Sequence, residues 1–168
     1  MAFGDSLTVG VGATSEDSYP SVLGELSGLE VIGSGVSGET TAGGLARFAS
    51  VLENTNPDFL ILLEGGNDIL RNVERTQTKS NLAAMITLAQ GKGIQILLIG
   101  VPEKKLFSKV APLYKELAEE HNVVLVEKLL GNLLRQPKYK SDPIHLNAAG
   151  YRVMAESIVE QMEEMGAL

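Results

Sequence analysis

The sequence predicts an α/β protein of three layers, with helices on both faces of a parallel sheet. Two observations carry this. Short apolar runs, Leu29 to Ile32, Phe59 to Leu63, Ile94 to Ile99 and Val123 to Val126, alternate with longer stretches of helical period. Strands separated in this way by helices pair in parallel. The connections are short and carry Gly, Pro, Asn and Asp, and the 168 residues contain no linker, repeat or low-complexity tract. One domain over 1–168 is therefore expected. A chain of this length buries roughly two thirds of the surface its unfolded form exposes.

The chain opens on Met1-Ala2-Phe3, a short start for a buried strand, directly before Gly4-Asp5-Ser6-Leu7. Residues removed upstream would account for it. Helices are expected over Tyr19 to Leu26, Thr40 to Glu53, Arg75 to Gln90, Lys109 to Glu120, Glu127 to Leu134 and Asn147 to Met165. In the last of these Met154, Ile158 and Met162 recur every four residues, with Val153 at the edge, which marks a core-facing stripe against a Glu-rich outer face. Asn147 fits the N-cap, where its side chain can accept from the first-turn amides and so fix where His145 points.

Composition narrows the function. Fourteen basic against 21 acidic residues give a net charge of −7, which repels phosphate backbones and anionic membrane surfaces. Nucleic acid is excluded as an expected partner. The basic residues are scattered, and the run Arg135 to Lys140 is broken by Pro137. No apolar run approaches the roughly 20 residues of a membrane span, so no stable membrane insertion is expected. Cysteine is absent, which removes disulfides, thiolate nucleophiles and cysteine metal sites. His121, in Glu119-Glu120-His121-Asn122, reads as a helix-terminal residue, so no metal and no cofactor are expected.

The chemistry lies at the two ends of the chain. Ser6 stands in a glycine-flanked turn, and His145, one of only two histidines, follows Asp142 by three residues in Asp142-Pro143-Ile144-His145. A serine hydroxyl needs an imidazole within hydrogen-bond reach and a third group to hold the imidazole in the right tautomer. The chain supplies one candidate for each role. Acyl transfer also develops an oxyanion, and removing one donor aimed at it costs about 3 to 4 kcal/mol. The candidate donors are the Ser6 amide, the Gly38 amide and the Asn67 side chain in Gly65-Gly66-Asn67-Asp68. As isolated residues, Gly38 reads equally as a flexible or left-handed loop position and Asn67 reads by default as a turn residue. Their positions after the second and third strands put them in the crevice where such sheets bind ligands. Asp68 reads as shaping its loop or capping a following turn rather than taking part in proton transfer.

Together these residues resemble the GDSL or SGNH hydrolases. Gly4-Asp5-Ser6-Leu7 is similar to the family's first block, Gly35-Val36-Ser37-Gly38-Glu39-Thr40-Thr41 to the second, Gly65-Gly66-Asn67-Asp68 to the third and Asp142-Pro143-Ile144-His145 to the last. Four blocks in order are far more specific than one. The closest resemblance is to the small branch with bacterial arylesterases and the acyl thioesterase/lysophospholipase I group. It implies a flavodoxin-like sheet of five parallel strands, with Ser6 as nucleophile, His145 as base and later acid, and Asp142 orienting it. It also implies an oxyanion hole from the Ser6 amide, the Gly38 amide and the Asn67 side chain. Two departures stand out: the short first strand, which would loosen Ser6, and Glu39 where relatives often carry aspartate.

The resemblance implies a serine esterase acting through an acyl-enzyme on Ser6, with a small-molecule acyl ester as substrate. No insertion is long enough for a lid, which predicts an open, shallow site and short- to medium-chain esters. Ile69, Leu70, Leu106, Phe107, Ile144 and Leu146 are candidates to line an acyl groove, or else ordinary core and loop anchors. Lys104 and Lys105, after the fourth strand, are placed to meet an anionic leaving group. Ester, thioester, lysophospholipid and acetylated sugar stay open, as does the compartment: the family often works in the periplasm or outside the cell, and a Met1 start equally suits the cytoplasm.

Two other classes compete. One is a non-catalytic carbohydrate- or acyl-ligand-binding module on the same fold, against which the intact Ser6, Asp142 and His145 argue. The other is a dinucleotide site, since Gly33-Ser34-Gly35-Val36-Ser37-Gly38 fits G-x-G-x-x-G with Asp58 20 residues beyond its last glycine. That acidic residue belongs at the carboxyl end of the next strand, whereas Asp58 precedes Phe59 to Leu63. The pattern G-x-S-x-G also fails, because Thr8 takes the second glycine's place.

Overall fold

The computed structural model describes residues 1–104 and 109–168. In chain order the elements are β1 (Ala2–Gly4), α1 (Ser6–Val9), α2 (Tyr19–Ser27), β2 (Gly33–Gly35), α3 (Thr41–Thr55), β3 (Phe59–Leu63), α4 (Gly66–Leu70) and α5 (Arg75–Gly91). They continue with β4 (Gln95–Ile99), α6 (Pro112–His121), β5 (Val124–Val126), α7 (Leu129–Leu134) and α8 (Ala148–Glu164). The strands form one parallel sheet in the order β2-β1-β3-β4-β5. Helices α2, α7 and α8 pack together as one layer, and α3, α5 and α6 as the other. The five-stranded αβα fold of the sequence expectation is therefore the fold observed.

Burial explains why these segments become strands. Phe3, Leu60, Ile61, Leu62, Leu63, Leu97, Leu98 and Ile99 are all at most 2% exposed, as continuous apolar runs in a sheet covered on both faces must be. The stripe predicted on α8 is core: Met154, Ile158 and Met162 are buried and Val153 packs at their edge. Asn147 caps α8, accepting from the Gly150 amide at 3.0 Å. The first strand is short but not loose. It pairs on both sides, the Met1 ammonium donates to Phe59 O at 2.8 Å, and Met1 O accepts from the Ile61 amide.

The second strand lies elsewhere than expected. The run Leu29 to Ile32 is only a lead-in, with Leu29 45% exposed, and the ladder to β1 forms over Gly33–Gly35. At an edge strand the pairing is a backbone matter, and here the helix beside it selects glycine. A Cβ on Gly35 would stand 2.6 Å from Val9 N and 2.8 Å from Asp5 O, because α1 crosses directly over this strand. Helix α6 starts at Pro112 rather than Lys109, since Ala111, preceding proline, is held extended at ψ 131°. Helices α1 and α4, read from sequence as turns, are short helices, and each opens on a candidate site residue or its neighbour.

The strand order reverses between β1 and β3, and the crevice beyond their carboxyl ends is where α1 and α4 begin. Asp58 lies at the opposite end, at the entry to β3, its carbonyl accepting from the Gln95 amide.

Candidate active site

Asp5 builds the start of α1: its Oδ1 accepts from the Leu7 amide at 3.0 Å, an N-cap that leaves Ser6 on the first turn with its hydroxyl facing the crevice. His145 reaches it from the loop before α8. His145 Nε2 lies 3.0 Å from Ser6 Oγ, and His145 Nδ1 lies 2.6 Å from Asp142 Oδ2. Asp142 closes a tight local loop, its Oδ1 accepting from the amides of Ile144 and His145, both at 2.8 Å. Partial desolvation raises the Asp142 carboxyl, but the His145 ring and these two amides outweigh it and hold the group below the ordinary aspartate range.

Asn67, in the first turn of α4, presents its side-chain amide to the same crevice. Nδ2 donates to Glu39 O at 2.8 Å and more loosely to Asp5 Oδ2 at 3.2 Å. Gly38 has φ +76°, a left-handed conformation that favours glycine, and its carbonyl accepts from Arg71 Nη2 at 2.9 Å. Among the described residues neither the Ser6 amide nor the Gly38 amide donates to another protein group. Ser6 lines the cleft, whereas Gly38 stands beside it rather than in its lining.

Behind these groups lies a buried acidic layer. Asp5, Glu64 and Asp68 are 4%, 0% and 1% exposed. Burial pushes Asp5 up to about 6, against the Leu7 amide and His145 and with Asp68 and Glu39 adding to the rise. Burial also pushes Glu64 up to about 9, helped by Asp5 and Glu39, and its Oε1 has no hydrogen-bond partner among the described residues. A neutral carboxylic acid tolerates such a site where a carboxylate does not. Asp68 stays fully bonded, accepting from the Thr41 amide at 2.8 Å, Thr41 Oγ1 at 2.6 Å and Thr78 Oγ1 at 3.3 Å. It thereby shapes its loop by occupying the N-terminus of α3. A pyrophosphate on the glycine pattern before α3 would need that same position, so the dinucleotide reading has no site.

Ser6, Asn67 and His145 line one small open cleft, together with Ile69, Leu70 and Ile144 from the expected set. Leu146 is fully buried and belongs to the core. Leu106 and Phe107 fall outside the described residues. The sequence reading missed Leu7, Val101, Leu130 and Leu134, which complete the apolar wall. The signal for the last two was their four-residue spacing on α7, which marks a helix face but not what it faces. Lys104 stands at the rim, donating to Leu70 O at 3.2 Å. Among the described residues no group of three His, Cys, Asp or Glu is placed to hold a metal, and no helix is long and apolar enough to cross a membrane.

A parallel αβα sheet with a serine, imidazole and carboxylate in hydrogen-bonded sequence at its switch point is the architecture of a serine-type hydrolase. The chain belongs to the GDSL-like lipase/acylhydrolase family, whose model matches residues 2–153. It is 30% identical to an arylesterase of Vibrio mimicus, over 96% of this chain and 86% of the relative. It is 24% identical to the thioesterase 1/protease 1/lysophospholipase L1 of Escherichia coli, over 98% of this chain and 83% of the relative. Among solved structures it resembles AlinE4, an SGNH-hydrolase family esterase, at 32% identity and TM-score 0.74, covering 99% of this chain and 93% of that one. The chain is a carboxylic ester hydrolase of this family. These relatives support the esterase reading and not the binding-module alternative.

Proposed function

We propose that the chain is a serine esterase in which Ser6 is the nucleophile, His145 the base and then the acid, and Asp142 the group that holds the imidazole. The observation that carries the reading is the continuous relay from Ser6 Oγ through both ring nitrogens to Asp142 Oδ2, at 3.0 and 2.6 Å. With Nδ1–H donated to Asp142, Nε2 is left as the acceptor for the serine proton. Ser6 Oγ attacks the ester carbonyl, its proton passing to Nε2. The resulting oxyanion accepts from the Ser6 and Gly38 amides and from the Asn67 N–H that rests loosely on Asp5. Collapse expels the alcohol, which takes the proton from His145. Water, deprotonated by the same nitrogen, then hydrolyses the acyl-enzyme.

The apolar wall of Leu7, Ile69, Leu130 and Leu134 accommodates an acyl chain, and the cleft's modest size favours short to medium ones. The E. coli relative's name includes thioesterase and lysophospholipase activities, and Lys104 at the rim makes an anionic leaving group acceptable here as well. The test is hydrolysis of p-nitrophenyl acetate, butyrate, octanoate and palmitate by the parent and by Ser6→Ala. Turnover should peak at or below octanoate and vanish in the variant. Turnover that survives Ser6→Ala would reject the nucleophile, and a steady rise to palmitate would reject the acyl-length assignment.

A further inference from the structure

Arg47, on α3, sits outside the cleft yet ties together the segments that carry Ser6 and Gly38, and reaches the third proposed donor, Asn67, through Glu39. Its Nε donates to Glu39 Oε1 and Oε2 at 3.0 and 2.9 Å, and its Nη2 to Glu39 Oε2 at 2.6 Å. The same guanidinium donates to Ser34 Oγ at 2.7 Å, to Ser34 O at 3.1 Å and to Gly4 O at 3.3 Å. Its plane lies 4.0 Å over the Phe3 ring, and the ion pair is largely withdrawn from solvent, with side chains 23% and 8% exposed. One planar fork thus holds the end of β1 two residues before Ser6, the middle of β2, and the residue immediately after Gly38. Lysine, a point charge, cannot make this set of bonds at once.

The consequence runs through Glu39. Its backbone carbonyl takes one of the two N–H bonds of Asn67 and so fixes the plane of that amide. Its peptide nitrogen side is the Gly38 residue whose amide is free. The Glu39 side chain folds over the first turn of α3, where Gly43 leaves room: a Cβ there would stand 3.1 Å from Glu39 Cγ. We propose that the Glu39–Arg47 pair is the positioning device of the oxyanion hole, setting the Gly38 amide and the Asn67 amide in register with Ser6. The proposal rests on the esterase site assigned above.

Such a device acts in the transition state and not on substrate affinity. With p-nitrophenyl butyrate, Glu39→Gln and Arg47→Lys should each lower kcat about tenfold or more with KM within about twofold. In an Asn67→Ala background the same substitutions should cost less than about threefold, because much of what they position is already gone. Melting temperatures and near-ultraviolet circular dichroism identify variants that remain folded, and Glu39→Gln keeps the side chain's shape. Unchanged kcat in folded variants, an undiminished loss in the Asn67→Ala background, or unfolding of both variants would overturn the proposal. Parent turnover that needs Ser6 but ignores Glu39 and Arg47 rejects this inference alone. Turnover independent of Ser6 rejects the site assignment first.

Discussion

The two halves of the cleft are built on opposite principles. On the His145 side the functional groups hang on a surface loop: Asp142 is 43% exposed at its side chain, and its bonds go to His145 and Ile144, within three residues. On the Asn67 side the groups are tied to other segments through half-buried or buried polar atoms, Asn67 to Glu39 and Asp5, Arg47 to Gly4 and Ser34, and, fully buried, Asp68 to Thr41 and Thr78. In the proposed mechanism the His145 side shuttles a proton, and a proton shuttle must reorient slightly during the reaction and tolerates solvent. Donors for a developing charge work by being fixed beforehand, and a low-dielectric, over-determined setting fixes them.

Substitutions separate the halves. His145→Ala should lower kcat by roughly four orders of magnitude, since it removes the only imidazole at the serine, while leaving the melting temperature nearly unchanged because the residue lies in a locally bonded loop. A large drop in melting temperature would contradict the description of this half. Asn67→Ala should lower kcat by about 10² to 10³ with little change in KM. A KM effect of similar size would mean that Asn67 binds the ground state.

Asp68→Ala should act on the fold instead. It strands the buried Thr41 amide and leaves the Thr41 hydroxyl only its bond from Asn81, and costs about 3 kcal/mol in chemical denaturation. Activity measured well below the melting temperature should fall less than in Asn67→Ala. Greater loss of activity than of stability would place Asp68 in the chemistry.

The same contrast governs what the sequence discloses. Ser6, Asp142 and His145 were legible because their chemistry is local or rare: a capped turn, a three-residue spacing, one histidine of two. Gly38 and Asn67 were legible through motif and strand-end position. The Arg47 fork was not, because a charged residue in a helix gives no sign of which carbonyls it will reach across the sheet. In sequence Glu39 is only a departure from the motif, and the fold alone places its carboxylate in that fork. The second strand is misplaced in the sequence reading because apolar runs announce buried side chains, whereas glycine at position 35 is selected by the backbone of α1 lying against it. Glu64 is not legible for a related reason: a charge at the end of an apolar strand reads as the point where the strand meets solvent, and here it is fully buried, with Met85 and Phe3 gathered around the same glycine, Gly44.

Glu64 also gives the sharpest test of how dry the fixed half is. Its carboxyl is raised from an ordinary value near 4.5 to about 9, so the folded chain holds a proton that the unfolded chain releases. A group raised in this way favours folding fully below pH 4.5, and the advantage drains away as pH rises from there through about 9. The slope is roughly 1.4 kcal/mol per pH unit for one proton, so about 2 to 3 kcal/mol should be lost between pH 6.5 and 8.5. Asp5, raised to about 6, has the same sign but acts mostly below that window. Glu64→Gln, neutral at every pH and nearly the same shape, should flatten the curve and melt higher than the parent at pH 8.5, with the two converging toward pH 5. Parallel curves would mean that water reaches Glu64 and that the layer beneath the oxyanion donors is not dry.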